Sequence, residues 1–146
     1  MDYTIKTATE EQIFSHLHGC NDSFITPLNE RVELHEYSKK IFDKSMTFEA
    51  WENKFLVGLV SAYFNDNENS FGYITNVSTT KKFTGKGIAS ILLKNCIEYA
   101  KQHNFAKLNL EVSKNNNRAI ELYKKIGFHV CESKDDLVLM KYEMDI

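Results

Sequence analysis

Cysteine and proline are both scarce in this sequence. Of its 146 residues, 1 is proline and 3 are cysteine. Cys20, Cys96 and Cys131 are odd in number, widely separated and without a C-x-x-C pair, so the sequence predicts neither a disulfide framework nor a zinc site. We interpret these cysteines as reduced thiols of a cytoplasmic protein, each a small core residue.

An excess of one charge and a long hydrophobic run are also missing. The chain carries 18 basic and 20 acidic residues, a net charge of −2, whereas nucleic-acid-binding domains concentrate basic residues on one face. The longest apolar run, residues 55–64, is much shorter than the roughly 20 residues of a membrane-spanning helix. The N-terminus lacks the basic start and apolar segment of a signal peptide. We therefore expect a soluble protein whose partners include neither nucleic acid nor a membrane.

Length and composition favour one domain over residues 1–146. Hydrophobic residues make up 42% of the chain and charged residues 26%, which is typical of a globular protein with an ordinary core. No repeat, low-complexity tract or linker interrupts the sequence.

Hydrophobic periodicity predicts a short strand and two helices in the first part of the chain, followed by three strands. Tyr3 and Ile5 alternate with polar residues in a short first strand. Thr9 and Gln12 have the spacing of a capping box at the start of a helix, and apolar residues three or four apart predict a second helix over residues 28–43. The period then changes to two, which indicates three antiparallel strands with a tight turn at the first connection.

The second half of the sequence alternates between the two periods. It predicts helices over residues 88–103 and 115–126, a strand at 107–112 between them, and two paired strands after Gly127. The complete order is β-α-α-β-β-β-α-β-α-β-β. We therefore predict an α/β fold with a mixed, mostly antiparallel sheet of about seven strands flanked by about four helices.

The segment "KKFTGKGIASILL", residues 81–93, predicts an anion site. Gly85 and Gly87 allow close approach to the backbone, and the helix that begins near Ile88 leaves its first N–H groups unpaired at the positive end of its dipole. Phosphate or pyrophosphate would suit such a site, although an exposed turn is an equally good interpretation of this segment alone. A Walker loop is excluded because Ile88 follows Gly87, and a dinucleotide loop because the third glycine is missing.

A second segment, "NNNRAIELYKKIGF", decides between the two interpretations of the first segment. Together the two segments resemble the GNAT superfamily of acyl-CoA-dependent N-acyltransferases. The loop resembles that family's aromatic-Arg-Gly-x-Gly-x-Gly/Ala pattern, which it matches at Phe83, Gly85, Gly87 and Ala89, with Thr84 at the Arg position. The second pattern, Asn-x-x-Ala-x-x-x-Tyr-x-x-x-Gly-Phe, is complete with Asn116, Ala119, Tyr123, Gly127 and Phe128.

The resemblance implies a site for acetyl-CoA. Loop amides would bind the pyrophosphate, and the pantetheine arm would lie in a gap between the strands at residues 71–79 and 107–112. Thr84 departs from the family's Arg or Gln, so Lys82 or Lys86 would replace the missing charge. Asn116 would either cap its helix or bind the arm. The implied cofactor residues are Val77, Thr79, Thr84, Gly85, Lys86, Gly87, Ile88, Ala89 and Asn116.

The resemblance also implies the reaction, which is acetyl transfer from the thioester to a primary amine. A backbone N–H near Val77 would stabilise the oxyanion, and Tyr123 would donate a proton to the leaving sulfur, although a core aromatic is its alternative interpretation. Glu111 is a candidate base, unless strand alternation places it in solvent. Asn76 and Tyr73 could hold a water that relays the proton instead.

The acceptor and the assembly state stay open at this level. In this family the acceptor enters beside residues 23–37 and 134–136, and a small molecule is slightly favoured over a protein. A homodimer is left open. Two alternatives remain, namely a non-catalytic acyl-CoA-binding or regulatory domain of the same fold, and an unrelated α/β module whose loop binds nothing.

Overall fold

A computed structural model of the protein describes residues 1–20, 29, 32–66, 68 and 70–144. Within them the elements follow the predicted order. The strands are β1 (Asp2–Ile5), β2 (Met46–Glu52), β3 (Phe55–Asp66), β4 (Phe71–Thr79), β5 (Lys107–Ser113), β6 (His129–Lys134) and β7 (Leu137–Glu143), and the helices are α1 (Glu10–Cys20), α2 (Leu34–Lys44), α3 (Ile88–Gln102) and α4 (Asn117–Ile126).

The seven strands form one mixed sheet in the order β1-β2-β3-β4-β5-β7-β6. All neighbours are antiparallel except β4 and β5, which α3 connects in parallel. The predicted α/β class and mostly antiparallel sheet are therefore confirmed. None of the helices in the described part of the chain is long and apolar enough to cross a membrane.

Two local signals in the sequence are confirmed. Gln12 N–H donates to Thr9 Oγ1 at 3.2 Å while Thr9 N–H donates to Gln12 Oε1 at 2.9 Å, which is the capping box expected before α1. The turn between β2 and β3 places Asn53 and Lys54 at φ 51° and 70°, as a tight hairpin turn requires.

The start predicted for α2 was wrong. Residue 28 lies outside the described residues, and α2 begins only at Leu34. Glu33 is extended, with φ −80° and ψ 122°, and its carboxylate accepts a hydrogen bond from the N–H of Glu36 at 2.7 Å. This cap fixes the start of α2, and apolar spacing alone could not reveal it.

β4 and β5 separate along their length. They pair only from Phe71 opposite Lys107 to Ile74 opposite Leu110. At this point the register of β4 with β3 shifts as well, because Ser61 faces Asn76 whereas Ala62 faces Ile74. An extra residue in one strand bends it and increases its twist, so β4 turns away from β5. The expected gap between these strands is therefore present.

The sheet separates two hydrophobic clusters. One cluster lies under α3 and α4 and contains residues such as Val60, Leu92 and Leu108. The other lies under α1 and α2 around Leu17 and Ile41. The sheet thus carries an independent core on each face.

The start of α3 lies very close to the sheet. A Cβ atom on Gly58 in β3 would be 2.7 Å from Ile88 Cγ2, well inside van der Waals contact. Gly58 therefore allows the first turn of α3 to pack directly on β3, and this fixes the height of the glycine loop above the sheet.

Candidate functional site

The glycine loop joins β4 to α3 without a side-chain cap. A short 3-10 turn, Lys81–Phe83, follows β4, and Gly85 and Gly87 then take φ 76° and 81°. Gly87 is the N-cap of α3 and offers no side chain to the first-turn N–H groups. These amides are therefore available to a ligand, and the helix dipole favours an anion there.

A cavity of about 330 Å³ lies between this loop, β4 and α4. Its walls include most of the residues that the resemblance assigned to cofactor binding and catalysis. Those brought together there are Val77, Thr79, Thr84, Gly85, Gly87, Ile88, Ala89, Asn116 and Tyr123.

Tyr123 belongs to both the core and the cavity wall. Only 7% of it is exposed, and its ring packs against that of Phe128 with centroids 5.9 Å apart. Burial raises the pKa of Tyr123 to about 12. The phenol is therefore protonated at neutral pH and can donate a hydrogen bond or a proton.

Asn116 caps α4. Its side-chain oxygen Oδ1 accepts a hydrogen bond from the N–H of Ala119 at 3.2 Å, so the capping interpretation is confirmed. The bond uses only the amide oxygen, and Asn116 also lines the cavity. Its amide nitrogen is a donor of the kind that the pantetheine arm would need, and that role stays a prediction.

The structure does not bring Lys86 or Glu111 into the cavity wall. The Lys86 ammonium lies 5.4 Å from the centroid of the Phe83 ring, and its side chain is exposed. Glu111 is exposed on β5, opposite Leu139 of β7. The strand alternation that left Glu111 ambiguous is resolved toward solvent.

Thr84 lines the cavity but uses its proton inside the loop. Its hydroxyl Oγ1 donates to the carbonyl oxygen of Lys81 at 2.9 Å and closes the 3-10 turn. The loop has no charge at this position, whereas the resemblance expects Arg or Gln there.

Arg118 is a cavity residue that the sequence analysis missed. A Cβ atom on Gly85 would lie 3.5 Å from Arg118 Nη2, so the guanidinium approaches the glycine loop, and Arg118 lines the same cavity. A cation in the first turn of a helix is unfavourable toward the dipole, and α4 has no acidic residue there. That local mismatch is the signal by which the sequence could have drawn attention to Arg118.

Ser78 and Cys20 also line the cavity and were not predicted. Ser78 lies on β4 beyond the point where it leaves β5, and Cys20 ends α1. No local pattern in the sequence distinguishes either residue, because their position depends on α1 packing against β4.

Comparison with known sequences gives a family match over most of the chain. The profile of the Acetyltransferase (GNAT) family matches residues 11–128. "Probable N-acetyltransferase san" of Drosophila melanogaster is 33% identical over 88 residues, which cover 59% of this chain and 48% of that protein. "Spermine/spermidine N(1)-acetyltransferase" of Bacillus subtilis is 30% identical over 74 residues, 50% of this chain and 49% of that protein. The chain thus spans about half the length of these curated relatives.

Solved structures with the same fold cover nearly the whole chain. The PaiA N-acetyltransferase of Thermoplasma acidophilum, solved with coenzyme A, superposes with a TM-score of 0.81 over 99% of this chain and 100% of that chain, at 14% identity. The ribosomal-protein-S18-alanine N-acetyltransferase of Escherichia coli gives 0.79 over 99% and 96%, at 16% identity. At these identities the likeness concerns the fold.

Proposed function

Because this chain belongs to the Acetyltransferase (GNAT) family, we propose that it transfers an acetyl group from acetyl-CoA to a primary amine. One observation carries the proposal. A single cavity joins an uncapped helix N-terminus, the diverging part of β4 and the buried phenol of Tyr123. This combination provides an anion site, an extended backbone edge and a proton donor within one space.

The cofactor is held by backbone groups in this proposal. Amides of the loop from Gly85 to Ala89 bind the pyrophosphate, and the guanidinium of Arg118 supplies the charge that Thr84 lacks. Among the described residues, β4 has no ladder partner on its β5 side beyond Ile74, so an extended pantetheine arm can pair with Val77 and Thr79 as an added strand does.

The catalytic residues follow from the same cavity. Bound acetyl-CoA supplies an activated acyl group as a thioester. Tyr123 holds a proton at its phenolic oxygen for the leaving sulfur, and the N–H of Val77 serves as a donor to the oxyanion. An alkyl amine is mostly protonated at neutral pH, with a pKa of about 10, and it must lose a proton before it attacks.

In this proposal the acceptor enters beside α1 and α2. Most of residues 23–37 lie outside the described residues, so we choose trial acceptors from the names of the relatives. Their names include spermine/spermidine and N-acetylaspartate synthesis, which supports amines of more than one charge type as trial acceptors. A small-molecule acceptor is our working choice.

The proposal predicts that acetyl-CoA stabilises the protein against thermal unfolding. A ligand present at about 100 times its dissociation constant raises the free energy of unfolding by about 2.7 kcal/mol, and the unfolding temperature measured with and without acetyl-CoA reports this. Desulfo-CoA lacks the thioester but keeps the pyrophosphate, so its effect on the unfolding temperature measures the pyrophosphate contacts alone. An unchanged unfolding temperature with millimolar acetyl-CoA contradicts the cofactor assignment. Binding of acetyl-CoA without thiol release when spermidine, aspartate or a peptide with N-terminal alanine is offered as acceptor favours the non-catalytic alternative.

Arg118→Ala is expected to weaken acetyl-CoA binding by about 10- to 100-fold, because a charge-assisted hydrogen bond contributes about 1.5–3 kcal/mol. Lys124→Ala is the matched control, since Lys124 is an exposed cation in the last turn of the same helix. Calorimetric titration measures both dissociation constants, and the difference between the variants should shrink at high salt. Equal affinities for the two variants at low salt would remove Arg118 from the site.

A further inference from the structure

A chain of buried polar groups leads from α1 to the cavity. His16 of α1 is 3% exposed. Its Nε2 lies 2.9 Å from Ser78 Oγ, and its Nδ1 lies 3.1 Å from the carbonyl oxygen of Leu56. Ser78 is 8% exposed and lines the cavity beside Val77. The imidazole thus contacts the hydroxyl of a cavity-lining residue, and the cofactor contacts described above do not use it.

The positions of the protons in this chain can be worked out. The carbonyl of Leu56 only accepts, so Nδ1 of His16 carries a proton. Burial lowers the pKa of His16 to about 4, so the imidazole is neutral at pH 7 and Nε2 is an acceptor. Ser78 therefore donates its only proton to His16.

Asn76 makes the second hydrogen bond to Ser78 Oγ. With the amide oriented as in the structure, the Ser78 hydroxyl would donate to Asn76 Oδ1 at 2.7 Å, so His16 and Asn76 would both need the one proton of Ser78; Asn76 is 5% exposed. Because the proton of Ser78 is directed at His16, this contact needs a proton from Asn76. Turning the amide about its last torsion places its nitrogen there, and the two orientations have the same shape. Ser78 Oγ then has one acceptor position left and no proton to give.

Cys20 does not compete for this role. Its sulfur lies 3.7 Å from His16 Nε2 and 3.9 Å from Nδ1, but burial raises the pKa of its thiol to about 11. The thiol is therefore neutral near pH 7, and a neutral imidazole already occupied on both nitrogens does not activate it.

We propose that Ser78 receives the attacking amine, with its oxygen accepting a hydrogen bond from an amine N–H, and that His16 is the positioning residue that keeps Ser78 an acceptor. The inference rests on the proposed acetyl transfer. A neutral amine that gives one N–H to Ser78 keeps its lone pair for the thioester carbon. Ser78 from β4 and Tyr123 from α4 then offer an acceptor and a donor within one cavity.

The tautomer of His16 can be measured without any ligand, and it tests where the protons of His16 and Ser78 lie. We expect the nitrogen and carbon NMR shifts of the assigned imidazole at pH 7 to show a neutral ring protonated at Nδ1. Ser78→Ala should shift the Nε2 resonance, since its donor is lost. A ring protonated at Nε2, or doubly protonated at pH 7, overturns the inference.

Kinetics of Ser78→Ala test the role toward the amine. The acceptors are spermidine, aspartate and a peptide with N-terminal alanine, and the fastest is used for the variants. We expect kcat/KM for the amine to fall roughly 3- to 10-fold, the value of one hydrogen bond, with the dissociation constant of acetyl-CoA unchanged. Ser61→Ala is the control, because Ser61 is a fully buried β3 serine whose hydroxyl lies 2.8 Å from that of Ser45.

Two further outcomes separate this inference from the proposed function. Unchanged amine kinetics in Ser78→Ala overturn the inference alone, whereas a wild-type protein without acetyl-CoA binding or turnover overturns both.

His16→Leu should lower kcat/KM for the amine as Ser78→Ala does, and the double variant should be no slower than the slower single variant. Additive losses would mean that His16 does not act through Ser78.

Discussion

Phenylalanine in place of Tyr123 is expected to lower kcat for acetyl transfer by about 10²- to 10³-fold, a typical loss when a general acid is removed. The variant keeps the ring that packs against Phe128, so both the fold and the affinity for acetyl-CoA should be preserved. Because the pKa of Tyr123 is raised to about 12, the wild-type phenol remains protonated well above neutral pH and is available as a donor. Steady-state thiol release measures kcat, and calorimetric titration measures the dissociation constant of acetyl-CoA.

The matched control is Tyr142→Phe. Tyr142 also packs against Phe128, with ring centroids 5.5 Å apart, but it lies on β7 outside the cavity wall. Both variants remove one phenolic oxygen next to the same ring, and only one removes it from the cavity. Equal kcat for wild type and Tyr123→Phe would assign Tyr123 to the core alone.

Glu49→Gln is expected to lower the free energy of unfolding by about 3 kcal/mol, because a buried network loses its charged acceptor. Glu49 of β2 is fully buried. Its carboxylate accepts hydrogen bonds from backbone N–H groups at 2.9–3.2 Å and from hydroxyls at 2.6–2.7 Å; the donors are Thr7 N, Ala8 N, Thr4 Oγ1, Thr7 Oγ1 and Thr47 Oγ1. Glutamine turns an N–H2 group toward donors and leaves some of them unpaired.

Urea unfolding of Glu49→Gln and Glu111→Gln measures this effect against an exposed carboxylate. Glu111 lies in solvent on β5, so its substitution should change stability by less than about 0.5 kcal/mol. The same Glu111→Gln protein tests the predicted base, since a loss of kcat would restore that role. Equal stability for both variants would contradict the importance of the Glu49 network.

The effect of Glu49 on stability depends on pH in a defined direction. Burial alone would raise its pKa, but hydrogen bonds from Thr47, Thr4, Ala8 and Thr7 together outweigh burial, and the pKa is lowered from the ordinary 4.5. The carboxylate therefore stabilises the folded protein fully above the unfolded pKa, and this contribution is lost as pH falls through the lowered folded value. The stability difference between wild type and Glu49→Gln should shrink as the solution is acidified below about pH 5.

Features encoded within a few residues could be predicted from the sequence. The capping box at Thr9, the glycines of the loop and the cap at Asn116 each depend on neighbours within one helical turn, and all three are found in the structure. The order of helices and strands along the chain followed from hydrophobic period in the same way. The start of α2 was missed because Glu33 is an uncommon cap beside an otherwise helical apolar pattern.

Contacts between distant segments could not be predicted by such reasoning. His16 and Ser78 lie 62 residues apart, and neither residue type nor spacing indicates that α1 packs over the end of β4. Arg118 meets Gly85 only because α4 crosses beside the loop. Glu111 is a different case. Alternation along β5 showed that it lies on the face opposite to that of Leu110 and Val112, but only the assembled sheet shows that this face is exposed at Glu111.

The two hydrophobic clusters on opposite faces of the sheet also bear on how such a domain can diversify. Residues around Leu17 and Ile41 support α1 and α2, whereas residues around Val60 and Leu92 support α3 and the loop. Since the described residues form two separate clusters on opposite faces of the sheet, side chains under α1 and α2 can be exchanged without repacking the residues that support the glycine loop. With the acceptor placed beside α1 and α2 as proposed, selection for a new acceptor can change one face while the packing of the other face is kept.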